Sequence, residues 1–300
     1  MITLEAGPLR LILDPETGGA IAAFEHSGIP LLRPVADPRL AAQHGRAVAG
    51  YPLIPFANRV AHGRFTFNGI THQLALNFGD HPHTIHGNAW MRSWAVLQAT
   101  PTTAHLALNH TPPHDPASQW PFAYRAEQIF TLHEHGLKLH MSVRNTDSVA
   151  WPAGIGLHPY VARDTAPGAA TLLQFDADTV WLNDADSLPD AREAVAHQWD
   201  FTAARPIGTA QIDECYAGWG GLAEITWPGP GLKLQIHTDP PLDHLQLYTP
   251  PGRDFLGLEP VSNMPDAINR MDVESDNGLV ILQPGEMLQG TIQLTVAINE

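Results

Sequence analysis

The 300-residue sequence has little cysteine, little lysine and no long apolar run. The single cysteine, Cys215, excludes an intramolecular disulfide and fits a reducing cytoplasm. Its acidic neighbours Asp213 and Glu214 would raise a thiol pKa, so we expect a bystander cysteine and not a catalytic one. Because no stretch of about 18 or more apolar residues occurs, we expect no membrane span. The N-terminal segment does not resemble a secretory signal, so we expect a cytoplasmic protein.

Lysine is nearly absent, since Lys138 and Lys233 are the only two, and the formal net charge is −15. A nucleic acid or polyphosphate partner normally requires a cluster of basic residues, and the sequence shows none. We therefore expect no nucleic-acid partner. A small neutral ligand is compatible with this charge, and so is either a monomer or a homodimer.

Glycine and proline are abundant, with 25 and 27 residues, and they interrupt the chain at short intervals. Between them, apolar and polar residues alternate over short runs, which is typical of half-buried β-strands. The clearest runs are residues 9–14, 104–110, 136–145, 231–239 and 290–299. Many short strands at regular spacing predict an all-β sandwich or barrel.

Helical patterns are rare. The best candidate is 187–198, where Ser187 is placed to cap a helix and Pro189 would lie in its first turn. Residues 37–45 form a second, shorter candidate. The chain shows no low-complexity linker, charge block or internal repeat, so the simplest organisation is one domain over residues 1–300.

Histidine is conspicuous, with 17 residues against 16 lysines and arginines together. His81, His83 and His86 lie in one short segment. Three interpretations remain open for them: metal ligands, hydrogen-bonding partners of a polyhydroxylated ligand, and loop residues without a function. The spacing alone does not decide between these interpretations.

Two further residues carry candidate chemistry. His158 lies in an apolar run, where burial would lower its pKa and a nearby carboxylate would raise it, which would place it near neutrality. A core histidine without a catalytic role is the alternative.

Alternation predicts that Phe255, Gly257 and Glu259 share one strand face, and we expect Pro260 to end that strand. A carboxylate on an inward face indicates a polar cleft, whereas an exposed strand-end glutamate is the alternative.

Arg59 and Asp213 are weaker candidates. The guanidinium of Arg59, which follows Asn58, can donate two hydrogen bonds to sugar hydroxyls or hold a carboxylate, and a structural salt bridge is the alternative. The carboxylate of Asp213 can accept hydrogen bonds from two vicinal hydroxyls.

Taken in order, five segments between about residues 50 and 270 resemble the aldose 1-epimerase (galactose mutarotase) family. The most specific is LEPVSNMPDAIN, which resembles the family's Leu-Glu-Pro and Pro-Asp-Ala-x-Asn signature. The other four are NRVAHGRFTFNG, HTIHGNAW, GIGLHPYV and IDECYAGW. Two departures lie in GIGLHPYV, where Gly156 replaces the expected threonine and Pro159 directly follows His158.

The resemblance implies an all-β fold, a β-supersandwich of two large antiparallel sheets. It implies an isomerase that interconverts the anomers of a free monosaccharide without a cofactor or metal, with Glu259 as general base and His158 as general acid. The sugar-binding residues that it implies are Arg59, His86 and Asp213, with Asn58 and His83 as helpers.

This chemistry sets expectations for the pair. The acid must be protonated at rest, so His158 should have a pKa at or above neutrality. The base must be ionised, so the pKa of Glu259 should not be strongly raised, and we expect Arg59 or another donor to keep it so. Tyr248 or Trp90 would stack on the apolar face of the sugar.

Three other functions compete. A hexose-6-phosphate mutarotase would need basic residues near the cleft, for which Arg59, Arg64 and Arg92 are available, although the acidic, lysine-poor chain disfavours it. A non-catalytic carbohydrate-binding module would need the binding residues without the acid–base pair. A glycoside hydrolase would need two carboxylates, whereas this chain has His158 at the expected acid position.

Overall fold

The computed structural model describes residues 1–34, 47–112, 120–163 and 170–298. Two large antiparallel sheets, one of eleven strands and one of nine, account for most of the regular structure. All five runs chosen for their alternation are strands, within three residues at each end. The predicted β-supersandwich is therefore confirmed.

The eleven-stranded sheet carries most of the residues singled out above. Its strands are β1 (Ile2–Ala6), β2 (Leu9–Asp14), β3 (Ala20–His26), β4 (Ile29–Pro30), β5 (Gly50–Leu53), β15 (Gly156–Ala162), β17 (Thr179–Asn183), β18 (Pro189–Ala194), β20 (Asp213–Ala217), β23 (His244–Tyr248) and β24 (Phe255–Val261). Their order is β1-β2-β3-β5-β15-β24-β23-β20-β17-β18, with β4 on β3. The neighbouring central strands β5, β15 and β24 therefore come from distant parts of the sequence.

The nine-stranded sheet covers the other side of the core. Its strands are β10 (Ala95–Ala99), β11 (Thr103–His110), β12 (Tyr124–His133), β13 (Gly136–Asn145), β16 (Leu172–Phe175), β19 (Arg205–Pro206), β21 (Leu222–Trp227), β22 (Leu232–Thr238) and β26 (Met287–Ile298). Their order is β10-β11-β12-β13-β26-β22-β21-β16-β19.

Three two-stranded ribbons and four short 3-10 helices complete the described structure. The ribbons pair β6 (Arg59–Val60) with β9 (Thr84–Ile85), β7 (Arg64–Phe67) with β8 (Ile70–Gln73), and β14 (Trp151–Ala153) with β25 (Val280–Leu282). The 3-10 helices are Ala61–Gly63, Ala89–Met91, His197–Trp199 and Ala267–Asn269. None of the helices in the described ranges has the length and apolarity needed to cross a membrane.

Side chains alternate along the central strands, so that one face of the sheet packs in the apolar core and the other carries the candidate site residues. Leu157 of β15 and Leu258 of β24 belong to the main apolar core, each with 1% or less of its surface exposed. Burying a leucine side chain stabilises the fold by about 1.5–3 kcal/mol. Because neighbouring residues on a strand point to opposite faces, His158 and Glu259 lie on the face turned away from that core.

The strand β24 does not end where the sequence predicted. It continues through Pro260 to Val261, and Pro260 remains paired with Leu245 of β23. The prediction was wrong because a proline inside a strand is tolerated where its missing N–H is not needed by the ladder.

The ladder between β15 and β24 is interrupted near its middle. Gly156 pairs with Val261, and Tyr160 pairs with Gly257, but the described structure contains no pair between these two. Each strand has a proline in this interval, and proline has no N–H to donate. The candidate acid and base face each other across this interval, where the two backbones are not joined.

The predicted helix over 187–198 is wrong. Residues Pro189–Ala194 form the edge strand β18, and only His197–Trp199 form a single 3-10 turn. Ser187 has a left-handed φ of +63°, whereas an N-cap residue is normally extended. Pairing with β17 outweighs the local helical pattern, and Pro189 is tolerated as the first residue of an edge strand. The second predicted helix, residues 37–45, lies outside the described residues.

Candidate active site

One row of side chains crosses the face of the eleven-stranded sheet that is turned away from the core. In the strand register, Tyr51 pairs with His158, Gln246 pairs with Glu259, and Gln246 also pairs with Cys215. A groove of about 860 Å³ lies over this part of the sheet, and its lining includes His158, Glu259 and Gln246. The register therefore gathers residues from five strands at one position.

His158 and Glu259 are in direct contact. Nε2 of His158 lies 3.0 Å from Oε1 of Glu259, and the two side chains are only 5% and 3% exposed. Burial lowers the pKa of His158 to about 3, and the charge of Arg33 adds to this effect. Burial also raises the pKa of Glu259 well above its usual range, with Asp213 adding to the shift and Arg59 opposing it. Both shifts follow from the high free energy of a charge removed from water.

These shifts correct two expectations drawn from the sequence. His158 was expected to have a pKa at or above neutrality, and Glu259 was expected to be held ionised by Arg59 or another donor. In the structure the pKa of His158 is lowered and that of Glu259 is raised, while Arg59 is paired with Asp213. Oε2 of Glu259 and Nδ1 of His158 have no hydrogen-bond partner within the described ranges. Without other donors, the buried pair holds one proton between its two members.

Arg59 belongs to a ring of four polar side chains. Its Nη2 donates to Oδ2 of Asp213 over 2.6 Å, and Nε2 of Gln246 donates to Oδ1 of Asp213 over 2.8 Å. Nδ2 of Asn58 donates to Oε1 of Gln246 over 2.8 Å, and Nη1 of Arg59 closes the ring on Oδ1 of Asn58 over 3.3 Å. We call these four residues the polar ring. Each oxygen of the Asp213 carboxylate already accepts one hydrogen bond, so its orientation is fixed.

Gln246 was missed by the sequence analysis. It is 2% exposed, it lies between Asn58 and Asp213 in the polar ring, and it neighbours Glu259 in the register. The signal was present, because β23 reads His-Leu-Gln-Leu-Tyr with regular alternation, and a polar residue at a buried position needs partners. The structure places the predicted residues Arg59, Asn58 and Asp213 around it.

His86 is held as a hydrogen-bond donor towards the groove. The backbone N–H of Asn58 donates to Nδ1 of His86 over 3.0 Å, so a neutral His86 carries its proton on Nε2. Burial lowers the pKa of His86 well below its usual value, which keeps the ring neutral. The structure thus brings His86 to the groove, as the sequence predicted, and defines its tautomer.

His86, His158 and Glu259 each present one atom that could bind a metal ion, and these atoms lie within 4.8 Å of one another. A metal ligand must offer a lone pair, however, and Nε2 of His86 carries a proton while Nδ1 accepts from Asn58. Binding a metal through His86 would cost that buried hydrogen bond. The donor set therefore fits a hydroxyl-bearing ligand better than a cation.

His83, which the sequence analysis named as a helper in sugar binding, lies outside the groove. It is fully buried and is not part of the groove lining. Its Nδ1 accepts from the backbone N–H of His62 over 3.0 Å, and its Nε2 contacts the carbonyl oxygen of Asp186 at 2.8 Å. Both ring nitrogens serve the local structure, which also disfavours the interpretation of His81, His83 and His86 as a metal site.

Three residues around the polar ring have a left-handed backbone. The φ angles of Asn58, His86 and Asp266 are +61°, +64° and +54°. Their segments are interlocked, since His86 N–H donates to the carbonyl of Asn58 and Asp266 N–H donates to the carbonyl of Arg59. Such conformations cost about 1–3 kcal/mol each and persist only where surrounding contacts enforce them.

The segment that follows β24 supplies those contacts. Oδ1 of Asn263 accepts from the N–H of Ala57, and its Nδ2 donates to the carbonyl of Ala57. Oδ1 of Asp266 accepts from the N–H of Ala61 over 2.9 Å. The part of the sequence with the most specific family resemblance thus fixes the backbone on both sides of Arg59.

Gly257 lies beneath the acid–base pair. A Cβ at this position would come within 3.0 Å of Oε1 of Glu259 and within 3.1 Å of Cε1 of His158. A side chain at this position would force the Glu259 carboxyl group or the His158 ring to shift by a few tenths of an ångström. The predicted shared face of Phe255, Gly257 and Glu259 is confirmed by this proximity and by the groove lining.

The residues predicted to stack on the sugar or to bind a phosphate differ in whether they reach the groove. Tyr248 lines the groove, but Trp90 is buried behind it against Tyr51. Arg64 lines a different cavity, and Arg92 is not part of the groove lining. Of the basic residues named for a phosphosugar, only Arg59 reaches the groove, and it is paired with Asp213.

The fold is that of the galactose mutarotase-like proteins. A structure of a galactose mutarotase-like protein from Clostridium acetobutylicum superposes with a TM-score of 0.87 and 17% identity, covering 99% of this chain and 94% of that one. Galactose 1-epimerase from Lactobacillus acidophilus superposes with a TM-score of 0.79 and 18% identity, covering 99% and 94%. At these identities the two structures establish the fold.

The sequence gives the more specific assignment. The model of the aldose 1-epimerase family matches residues 1–295, and the chain belongs to this family. It is also 29% identical to the uncharacterized protein YphB of Escherichia coli (strain K12) over 302 residues, which cover 98% of each chain.

Proposed function

We propose that this protein is a mutarotase that interconverts the α and β anomers of a free aldose. The observation that carries the proposal is the buried contact between His158 and Glu259 in a groove that also contains the polar ring. An acid and a base side by side are what ring opening requires, since one proton must leave the C1 hydroxyl and another must reach the ring oxygen.

In this mechanism Glu259 takes the proton of the C1 hydroxyl, and His158 delivers a proton to the ring oxygen. The C1–O5 bond breaks to give the open-chain aldehyde, which rotates about C1–C2 and closes with the roles reversed. Each positioned group contributes about 100- to 10,000-fold to the rate. Because closure returns both protons, the pair regains its starting state in every cycle.

The resting pair must redistribute its proton before the reaction. Burial favours a neutral imidazole and a neutral carboxyl, whereas the reaction starts from a protonated His158 and an ionised Glu259. A sugar hydroxyl that donates to Oε2 of Glu259, which has no partner in the described structure, favours the ionised carboxylate. Substrate binding thereby moves the shared proton to His158.

The remaining groove residues bind the sugar. Nε2–H of His86 donates to a hydroxyl, and Asp213 accepts from hydroxyls with the lone pairs that Arg59 and Gln246 leave open. Asn58 acts through the polar ring. Tyr248 supplies an apolar face for the ring carbons.

Freshly dissolved anomers test the proposal. Polarimetry or NMR of α-glucose, α-galactose, α-xylose and an arabinose anomer should show, for at least one sugar, an equilibration rate proportional to protein concentration and far above the buffer rate. If the protein binds a sugar by calorimetry but accelerates none, it is a non-catalytic carbohydrate-binding module. Release of a chromophore from a nitrophenyl glycoside would instead identify a hydrolase.

A further inference from the structure

The ring of His158 lies against aromatic side chains of the same sheet. In the strand register His158 pairs with Tyr51 of β5. The two rings are stacked, with 4.8 Å between their centroids and 27° between their planes. Tyr160, on the same strand as His158, has its ring centroid 4.3 Å away and its plane tilted by 40°. The imidazole therefore has the face of a phenol ring beside it.

The face of a phenol ring carries partial negative charge, because its π electrons form a quadrupole. A cation within about 6 Å of the ring centroid is attracted to that face, and the attraction is larger where water is excluded. A protonated imidazole is such a cation. Tyr51 and His158 are only 1% and 4% exposed, so little water screens a charge on His158 from the Tyr51 ring.

Tyr51 is better placed for this interaction than Tyr160. Its plane is closer to parallel with that of His158. The Tyr160 ring already packs against another cation, since the guanidinium carbon of Arg33 lies 3.6 Å from its centroid. Two cations on one ring repel each other, and the Arg33 charge contributes to the lowered pKa of His158. The face of Tyr51 is therefore the aromatic contact that favours a charged imidazole.

The other titratable groups around His158 leave few alternatives for this role. The carboxyl group of Glu259, 3.0 Å away, supplies the negative charge of the ionised pair. His86 is oriented edge-on at 5.5 Å, and it stays neutral because burial lowers its pKa well below the usual value. Burial raises the pKa of Tyr51 and of Tyr160, so both remain neutral phenols. Among these side chains, Glu259 and the face of Tyr51 offset the cost of charging His158.

We propose that the face of Tyr51 stabilises the protonated form of His158 when a sugar is bound, so that Tyr51 supports the acid step without touching the reacting atoms. Tyr51 is then a positioning residue, which acts through His158 on the proton shared with Glu259. This inference rests on the proposed mutarotase function, because His158 needs its proton only when it acts as the acid.

Fluorinated phenylalanines at position 51 test the proposal. Fluorine withdraws electrons from the ring and weakens its attraction for a cation, while the ring keeps nearly the same size. Tyr51→Phe retains the ring face and should keep kcat within about threefold of wild type. Exchanging that phenylalanine for its monofluoro, difluoro and trifluoro forms should lower kcat stepwise, by about tenfold over the series, with KM unchanged.

The same fluorinated residues at Phe130 provide the control. Phe130 belongs to β12 of the nine-stranded sheet and is fully buried in the main apolar core, so fluorination there alters a buried ring that does not contact His158. This second series should leave kcat unchanged. Tyr51→Leu removes the ring altogether and should lower kcat at least as far as the trifluoro form does.

NMR of the imidazole nitrogens of His158 reports the position of the proton directly. With saturating sugar, their resonances should be those of a protonated ring when residue 51 is phenylalanine. They should move towards those of a neutral ring across the fluorinated series. A merely structural role of Tyr51 would leave these resonances unchanged in the series, because the fluorinated rings fill the same space.

The outcomes separate this inference from the proposed function. If the protein equilibrates a sugar but kcat stays constant across the fluorinated series, the inference is overturned and the mutarotase function stands. A loss of kcat in Tyr51→Phe as large as that in Tyr51→Leu also overturns it, because the hydroxyl and not the ring face would then be responsible. Failure to accelerate any sugar of the panel above overturns the mutarotase function itself.

Discussion

Nε2 of His158 lies 3.0 Å from Oε1 of Glu259, although the strands β16 to β23 lie between the two residues in the sequence. The contact exists because β15 and β24 are neighbours in the sheet, and their register brings the two residues opposite each other. Several measurable consequences depend on this geometry.

The pair predicts a plateau in stability between about pH 4.5 and 6.5. The folded pair keeps one proton from about pH 3 up to the raised pKa of Glu259, whereas the unfolded chain titrates with the ordinary pKa values of 4.5 and 6.5. Below pH 4.5 the unfolded chain binds a second proton, and above pH 6.5 it loses its last one. The free energy of unfolding should therefore fall on both sides of the plateau, by about 1.4 kcal/mol per pH unit for each proton.

Denaturant unfolding over a pH series measures this plateau. The double variant His158→Asn/Glu259→Gln removes both titrating groups, so the difference in stability between wild type and variant should follow the predicted shape. A difference that is constant from pH 4 to pH 8 would show that the pair does not share a proton in the folded state.

Replacing either member of the pair should abolish turnover without unfolding the protein. For Glu259→Gln and for His158→Asn we expect kcat to fall by about 100- to 10,000-fold, with little change in KM, as measured by polarimetry. The double variant should be little worse than either single one, because the two groups act as a unit. A rise in KM at unchanged kcat would make the replaced residue a binding residue.

Gly257→Ala should lower kcat through geometry alone. The new Cβ would stand 3.0 Å from Oε1 of Glu259 and 3.1 Å from Cε1 of His158, so one or both side chains must shift by a few tenths of an ångström. Since a misplacement of about 1 Å costs on the order of 100-fold in rate, we expect this smaller shift to lower kcat by about threefold to tenfold. Gly220→Ala is the matched control, since a Cβ there meets nothing within 4 Å, and it should leave kcat unchanged. Equal rates in the two variants would contradict the assigned geometry.

Gln246→Ala should weaken sugar binding. It leaves Oδ1 of the part-exposed Asp213 and Nδ2 of the buried Asn58 without their partners in the polar ring, and an unpartnered buried group such as Nδ2 of Asn58 costs about 1–3 kcal/mol. We expect KM to rise about tenfold or more, because a loss of 1.4 kcal/mol corresponds to a factor of ten. Gln235→Ala on the nine-stranded sheet provides the control, and a KM unchanged in both variants would show that the ring does not support binding.

Asn263→Ala should reduce stability. Its side chain is 2% exposed and makes three hydrogen bonds, two of them to the backbone of Ala57 and one to the carbonyl of Met264. Leaving these groups unpartnered should lower the free energy of unfolding by about 2–4 kcal/mol. Chemical denaturation measures the loss, and saturating sugar should restore part of it if the residue acts by holding the segment around Arg59.

The sequence predicted the strands well, because alternation follows directly from which face of a sheet is buried. It misplaced the helix at 187–198, because the pairing of β18 with β17 is a tertiary contact that no local pattern records. It also ended β24 too early, since whether Pro260 interrupts a ladder depends on which neighbour needs its N–H.

The sequence predicted which residues lie at the candidate site better than it predicted their protonation states. The resemblance gathered Arg59, His86, His158, Asp213 and Glu259, and the structure brings all five to the groove. The protonation of the pair could not be predicted, because it depends on how completely the fold removes water. Gln246 and Gly257 were not chosen as site residues, because their roles come from the strands beside them.

The polar ring also bears on the thermodynamics of association. Its four side chains are already immobilised against one another before any sugar arrives, so complex formation costs little additional rotamer entropy on the protein side. We therefore expect the entropic cost of capture to come mainly from the ligand, and crystals grown with and without sugar to show these four residues in the same rotamers.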